Sequence, residues 1–190
     1  MTPDPAKVAI LISGRGSNMR ALVEQADGYE VVLVASNRPE AKGLEYAEAR
    51  GIPTWAEDSR GQVRDAYDKT LGDRLAESGA GTIALAGFMR ILGSDFIRRF
   101  ESRMLNIHPS LLPKYKGLDT HARALAAGDA EHGCSVHVVT EELDAGEVVA
   151  QARIPVQPGD SVESLERRIL AEEHRLYPAA LAKFVRERAA

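Results

Sequence analysis

A chain of 190 residues with 44% hydrophobic and 27% charged side chains has the make-up of one ordinary globular domain, long enough to bury a sizeable core. Its formal net charge of -4 argues against nucleic-acid binding, which shows as a strongly basic domain, and no apolar run approaches the length of a membrane span. The first residues lack the charged and apolar segments of a secretory leader, and the single cysteine, Cys134, has no intrachain partner, so the expectation is a cytoplasmic protein without disulfides, binding neither membrane nor nucleic acid.

The continuous apolar run at 8–12 predicts a parallel strand buried on both faces, ending in the tight turn Ser13-Gly14-Arg15-Gly16-Ser17-Asn18, with a helix starting near Asn18. Short runs at 31–35, 82–86 and 104–108 predict further strands, and the segments between them predict helices at 42–50 and 94–100. Val63, Tyr67, Leu71 and Leu75, four residues apart, predict one buried face of another helix. Between Ser110 and Glu131 there is little periodicity, which predicts a mobile loop followed by a short helix. The runs at 135–139 and 148–151 predict a strand pair closing one edge of the sheet. A long final helix follows, started by Asp160-Ser161 and carrying Leu165, Ile169 and Leu176 inward. The fold class is therefore α/β, a mainly parallel, doubly wound Rossmann-like sheet with a C-terminal strand pair and a long terminal helix, forming one domain over 1–190.

Glycines in Gly14-Arg15-Gly16-Ser17-Asn18, just after a strand and before a helix, let backbone amides approach an anion where the helix N-terminus favours negative charge. The pattern suits a phosphomonoester, while a plain strand-to-helix turn is the blander alternative. A dinucleotide loop would need a third glycine where Met19 stands, and no Gly-Lys-Ser/Thr follows as a P-loop requires. Asn106 and His108, two apart on a strand, share one face at its C-terminal end, where open α/β sheets place ligands. An amide beside an imidazole could hold an oxyanion and manage protons, and Asp144 is the candidate carboxylate to orient the histidine. Taken singly, the amide and the histidine could instead be a turn cap and a half-buried structural group. Glu173 falls on or beside the inward stripe of the last helix and needs a partner there. His137 alternates toward the cleft, but a structural hydrogen bond is preferred for it, and His121 and His132 have similar status.

Four segments then occur in order along nearly the whole chain: 12–18 (Ile-Ser-Gly-Arg-Gly-Ser-Asn), 86–92 (Ala-Gly-Phe-Met-Arg-Ile-Leu), 106–113 (Asn-Ile-His-Pro-Ser-Leu-Leu-Pro) and 142–146 (Glu-Leu-Asp-Ala-Gly). Together they resemble the phosphoribosylglycinamide formyltransferases, within the wider 10-formyltetrahydrofolate transferase superfamily. The resemblance implies a one-carbon transferase of purine biosynthesis that uses 10-formyltetrahydrofolate as co-substrate, with no metal and no nicotinamide. It implies Asn106, His108 and Asp144 as the catalytic trio, Asn106 and a protonated His108 holding the oxyanion. It also implies Gly16, Ser17, Asn18 and Glu173 as the phosphoribosylglycinamide site, with Glu173 on the ribose. Arg64, Met89, Arg90, Ile91, Leu92 and Asn106 fall on the folate side. Met89, Ile91 and Leu92 could equally be core, and Arg64 a solvated helix arginine. Lys116, Asp119 and Arg15 depart from the familiar pattern. A formyltetrahydrofolate hydrolase and an initiator-tRNA transferase share the trio but are expected with extra domains. A non-catalytic nucleotide-binding module leaves the trio unexplained. Homodimerisation is left open.

Overall fold

The computed structural model describes residues 3–189. Five strands run parallel: β1 (Asp4–Ile12), β2 (Glu30–Ser36), β3 (Thr54–Ala56), β4 (Ala80–Leu85) and β5 (Met104–His108). Two more, β6 (Glu131–Val138) and β7 (Val148–Pro155), continue the sheet antiparallel. The helices are α1 (Ser17–Glu24), α2 (Lys42–Glu48), α3 (Arg64–Glu77), α4 (Ser94–Arg99), α5 (Thr120–Ala126) and α6 (Val162–Ala189). The strand order β3-β2-β1-β4-β5-β6-β7 reverses direction between β1 and β4, so the loops leaving these two strands diverge and open a crevice at their C-terminal ends.

Alternation along β1 explains how the layers are built. Val8, Ile10 and Ile12 face a core completed by Met19 and Leu22 of α1, Leu44 of α2 and the inner stripe of α6. Ala9 and Leu11 face a second core, formed with Tyr67, Leu71 and Leu75 of α3 and Phe96 of α4. A strand between two such layers has no wet face, which is why its sequence is an unbroken apolar run.

The expected elements are present, with five differences. β3 was not anticipated: at three residues it is too short to show a period, and its pairing with β2 makes it a strand. β6 and β7 extend well beyond the predicted pair. Val63 is 72% exposed and precedes α3, so the buried face begins at Tyr67. In α6 the inward stripe continues from Ile169 through Glu173 to Tyr177, and Leu176 lies only partly buried beside it. The segment 110–119 is tied down by hydrogen bonds, described below.

α6 is fixed at both its start and its middle. Ser161 and Ser164 cap it reciprocally, each backbone N–H donating to the other's hydroxyl at 2.9 and 3.2 Å, and Glu163 adds an acidic residue to the first turn. Pro178 lies inside the helix and has no N–H for the carbonyl of His174; Gln25 of the α1 C-terminus donates to that carbonyl instead, at 3.0 Å. The buried Tyr177 hydroxyl lies 3.0 Å from the carbonyl of Leu85 and 3.1 Å from that of Leu105, pinning α6 to the last residue of β4 and to β5 beside it. Glu173, one turn earlier, is thereby carried to the crevice.

Candidate active site

The end of the crevice below α1 is built mainly from backbone. Gly16 is the residue before α1 and adopts a left-handed conformation, φ 70; a Cβ there would meet Met19 Cε at 2.8 Å. It offers no side-chain cap and the first turn holds no acidic residue, so the leading amides of α1 stay open to an anion. Gly43 donates to the Gly14 carbonyl at 3.1 Å and steadies the turn. Ser17 is half-buried at the first helical position. Next to it Asn18 donates from Nδ2 to Glu173 Oε2 at 2.7 Å, while the buried Asn18 Oδ1 has no partner. Burial pushes the Glu173 carboxyl up to about 7, opposed by the Asn18 bond and assisted by Glu166.

At the other end, side chains are brought together by strand register. Antiparallel pairing of β5 with β6 sets Asn106 opposite His137 and His108 opposite Ser135. The turn after β6 returns Asp144, itself left-handed at φ 50, over the same ends. That turn depends on Gly146, where an added Cβ would lie 1.8 Å from the Val138 carbonyl oxygen. His108 Nδ1 is 3.4 Å from Asp144 Oδ2, and His137 Nε2 is 3.5 Å from Asp144 Oδ1. His137 Nδ1 donates to the Val138 carbonyl at 3.0 Å, and its Nε2 lies 3.2 Å from Asn106 Nδ2. Burial alone would raise the Asp144 carboxyl; bonds from His137 and the Gly117 N–H, with the charge of the imidazoles, hold it below its ordinary value.

His108 is engaged on both nitrogens. Nε2 lies 2.9 Å from the Tyr115 carbonyl, which only accepts, so Nε2 carries hydrogen; a second proton would sit on Nδ1, facing Asp144. Burial nevertheless outweighs both acceptors and lowers the His108 pKa. The Tyr115 carbonyl and the Asp144 carboxylate are the two groups that favour the charged imidazole against that burial. The 110–119 segment covers this end, its Gly117 N–H donating to Asp144 Oδ2 at 2.9 Å, Ser110 Oγ to the Lys114 carbonyl at 2.6 Å and Lys116 Nζ to Glu142 Oε1 at 2.9 Å. Lys116 thus supplies a tether, and Asp119, at φ 57, caps α5 without a side-chain bond.

The segment leaving β4 separates the folate-side candidates residue by residue. Met89 and Ile91 are 66% and 64% exposed, whereas Leu92, at 7%, belongs to the core with α3 and α4. Arg90 lies over the Tyr67 ring, 4.7 Å from its centroid, and donates to the Ser59 carbonyl at 3.2 Å. Its Nε is 3.9 Å from Asp68 Oδ1, and Asp68 Oδ2 accepts from Gly93 N–H at 2.7 Å. Arg64 is exposed but adjacent: a Cβ on Gly93 would lie 3.5 Å from its Cδ.

Of the residues singled out in the sequence, the trio converges, Asn18 and Glu173 meet, and Arg64 borders the 89–92 segment. A structural hydrogen bond was preferred for His137, and its Nδ1 makes one to the Val138 carbonyl at 3.0 Å; its Nε2 also reaches Asn106 and approaches Asp144. Its strand alternation was the available signal, but the β5–β6 register that gives it a partner is not visible in one sequence. His121 and His132 pair with each other, Nδ1 to Nε2 at 3.1 Å. Among the described residues no group of three or more His, Cys, Asp or Glu side chains could hold a metal ion, and no helix is long and apolar enough to cross a membrane.

An α/β sheet whose switch-point crevice joins an open helix N-terminus to an Asn-His-Asp cluster defines an acyl-transfer protein, and the chain belongs to the formyl transferase family, whose profile matches residues 6–181. It is 44% identical to phosphoribosylglycinamide formyltransferase of Escherichia coli (strain K12), over 93% of this chain and 86% of that one. A solved phosphoribosylglycinamide formyltransferase from Brucella melitensis superposes with a TM-score of 0.89 at 48% identity, covering 95% of each chain. The trifunctional purine biosynthetic protein adenosine-3 of Bos taurus is 44% identical over 94% of this chain, which spans only 18% of that longer protein's length.

Proposed function

We infer that the chain, acting as a single formyltransferase domain, transfers the formyl group of 10-formyltetrahydrofolate to the amine of 5-phosphoribosylglycinamide. The products are the N-formyl acceptor and tetrahydrofolate, with no metal or nicotinamide taking part. The observation that carries this reading is the convergence of Asn106, His108 and Asp144 at the end of β5, in the same crevice as the uncapped start of α1. The named bacterial relatives support the substrates, since the chain spans most of their length.

The chemistry follows from the groups present. The acceptor phosphate takes the amides after Gly16, and its ribose hydroxyls take Glu173, helped by Asn18. The amine attacks the formyl carbon, and the carbonyl oxygen becomes an oxyanion. Asn106 donates an N–H to it, and His108 donates from Nε2 once the Tyr115 carbonyl yields that nitrogen. Charge on the oxyanion and on Asp144 opposes the burial that lowers the His108 pKa, so the imidazolium is favoured where the oxyanion forms. The attacking nitrogen, cationic once its bond to the formyl carbon forms, gives up a proton through water beside His108 and Asp144, and collapse of the intermediate breaks the bond from that carbon to the folate nitrogen, which leaves with the proton. Met89 and Ile91 offer apolar contact to the folate and Arg64 and Arg90 offer positive charge.

The net charge of -4 supports small-molecule partners and a cytoplasmic setting over nucleic acid or membrane. Sedimentation of the purified chain decides whether it is a homodimer. The test of the reaction is formyl-labelled 10-formyltetrahydrofolate with and without phosphoribosylglycinamide. Label moving to the acceptor is the expected result; label released as formate whether or not acceptor is present would mean hydrolysis instead.

A further inference from the structure

Three buried polar side chains outside the site, Ser13, Asn37 and Ser59, each at most 5% exposed, stand at the C-terminal end of β1, just past β2 and shortly after β3. Their bonds form a circuit. Met89 N–H donates to Ser13 Oγ at 2.7 Å, and Ser13 Oγ donates to Asn37 Oδ1 at 2.5 Å. Asn37 Nδ2 donates to Ser59 Oγ at 3.2 Å, and the Ser59 carbonyl accepts from the Arg90 guanidinium at 3.2 Å. The circuit therefore starts on the backbone of Met89 and ends on the side chain of Arg90, its neighbour. Ser13 also heads the turn into α1, and its N–H donates to the Gly87 carbonyl at 3.1 Å. One serine thus joins the turn on the acceptor side to the segment on the folate side.

We propose that Ser13, Asn37 and Ser59 are positioning residues for the formyl donor, fixing Met89 and Arg90 against the phosphate turn so that the donor is presented to the amine. The proposal rests on the reading that 87–92 receives the folate. Its physical basis is selective. Met89 is mostly exposed and has no core to hold it, and Gly87, at φ 78, brings no side chain to anchor the segment's entry. Tyr67 and Asp68 also hold Arg90, but at Met89 the polar circuit supplies the side-chain restraint, and buried bonds of this kind fix one geometry because breaking them strands a partner.

The test compares Ser13→Ala and Asn37→Ala with Thr82→Val. Thr82 is fully buried in β4 and donates to the Pro5 carbonyl at 2.8 Å, so its removal deletes an equally buried hydroxyl bond at the other end of β1. Ser13→Ala and Asn37→Ala are expected to raise the KM for 10-formyltetrahydrofolate about tenfold, the size of one lost buried hydrogen bond, with kcat within about threefold. Thr82→Val is expected to lower Tm and leave both KM values alone. Unchanged donor KM in both circuit variants, with only Tm reduced as in Thr82→Val, overturns the proposal; if Ser13→Ala does not fold, Asn37→Ala gives the same reading. Calorimetric titration with tetrahydrofolate needs no turnover and keeps the two failures apart. Wild-type protein that binds tetrahydrofolate but transfers nothing contradicts the proposed reaction and leaves the comparison of variants intact. Equal affinity in wild type and circuit variants contradicts the positioning role alone.

Discussion

The two ends of the crevice are built by different means. At the start of α1 the groups that meet an anion are backbone amides, placed by one left-handed glycine and needing no particular side chain beyond Asn18 and its partner Glu173. At the end of β5 the groups are titratable side chains from three stretches of chain, gathered by an antiparallel pairing and a turn. The first arrangement supplies affinity through fixed dipoles. The second, in the proposed reaction, supplies a charge that changes as the oxyanion forms. Substitutions at the two ends should therefore fail in different ways.

The largest effect is expected from Asn106→Ala and His108→Ala. Each should lower kcat by about 10²–10³, the size of one lost oxyanion donor, with acceptor KM little changed. Steady-state kinetics with both substrates varied will separate the two parameters. Asp144→Asn should fall in the same class, because it removes the charge that favours the imidazolium while keeping the Gly117 bond.

At the acceptor end the expected loss is smaller and lies in KM. Glu173→Ala should raise the KM for phosphoribosylglycinamide about tenfold with kcat within a few fold. Because the Glu173 carboxyl sits near 7 and a carboxylate accepts from ribose hydroxyls better than the acid does, acceptor KM in wild type should fall as pH rises through about 7. Glu173→Gln should abolish that trend.

The smallest effects are on stability, and the two ends oppose each other. Burial, then His121, lowers His132 to about 4, and burial lowers His108 and His121 as well. Below about 6.5 the unfolded chain therefore binds protons that the folded chain refuses, so this contribution is present at neutral pH and is lost as pH falls toward 4. Glu173 has the opposite sign. Its raised value means the folded state keeps a proton, so that contribution is present below 4.5 and disappears as pH rises through about 7. Thermal melts from pH 4 to 8 should rise from the acid side, and Glu173→Gln should melt higher than wild type only at the alkaline end.

What could be seen in the sequence follows the same division. The β1 run, the glycine turn and the Asn106–His108 spacing are local, and each imposes its geometry within a few residues. Asp144 was recognisable by resemblance, but its 3.4 Å approach to His108 depends on a turn closed by Gly146 against the Val138 carbonyl, a contact no periodicity encodes. The contact of His137 with Asn106 was hidden for the same reason: it comes from a strand partner 31 residues away. The 89–92 segment could not be divided between core and surface until α3 and α4 were in place to bury Leu92 and leave Met89 and Ile91 outside.

The most direct test of the account is the rate of formyl transfer by His108→Ala with both substrates saturating, set beside calorimetric affinity for phosphoribosylglycinamide in the same preparation. The account predicts a rate reduced by about 10²–10³ with acceptor affinity within a few fold of wild type. An unchanged rate, or a loss that lies wholly in acceptor affinity, would contradict the assignment of transition-state charge to the β5 end of the crevice.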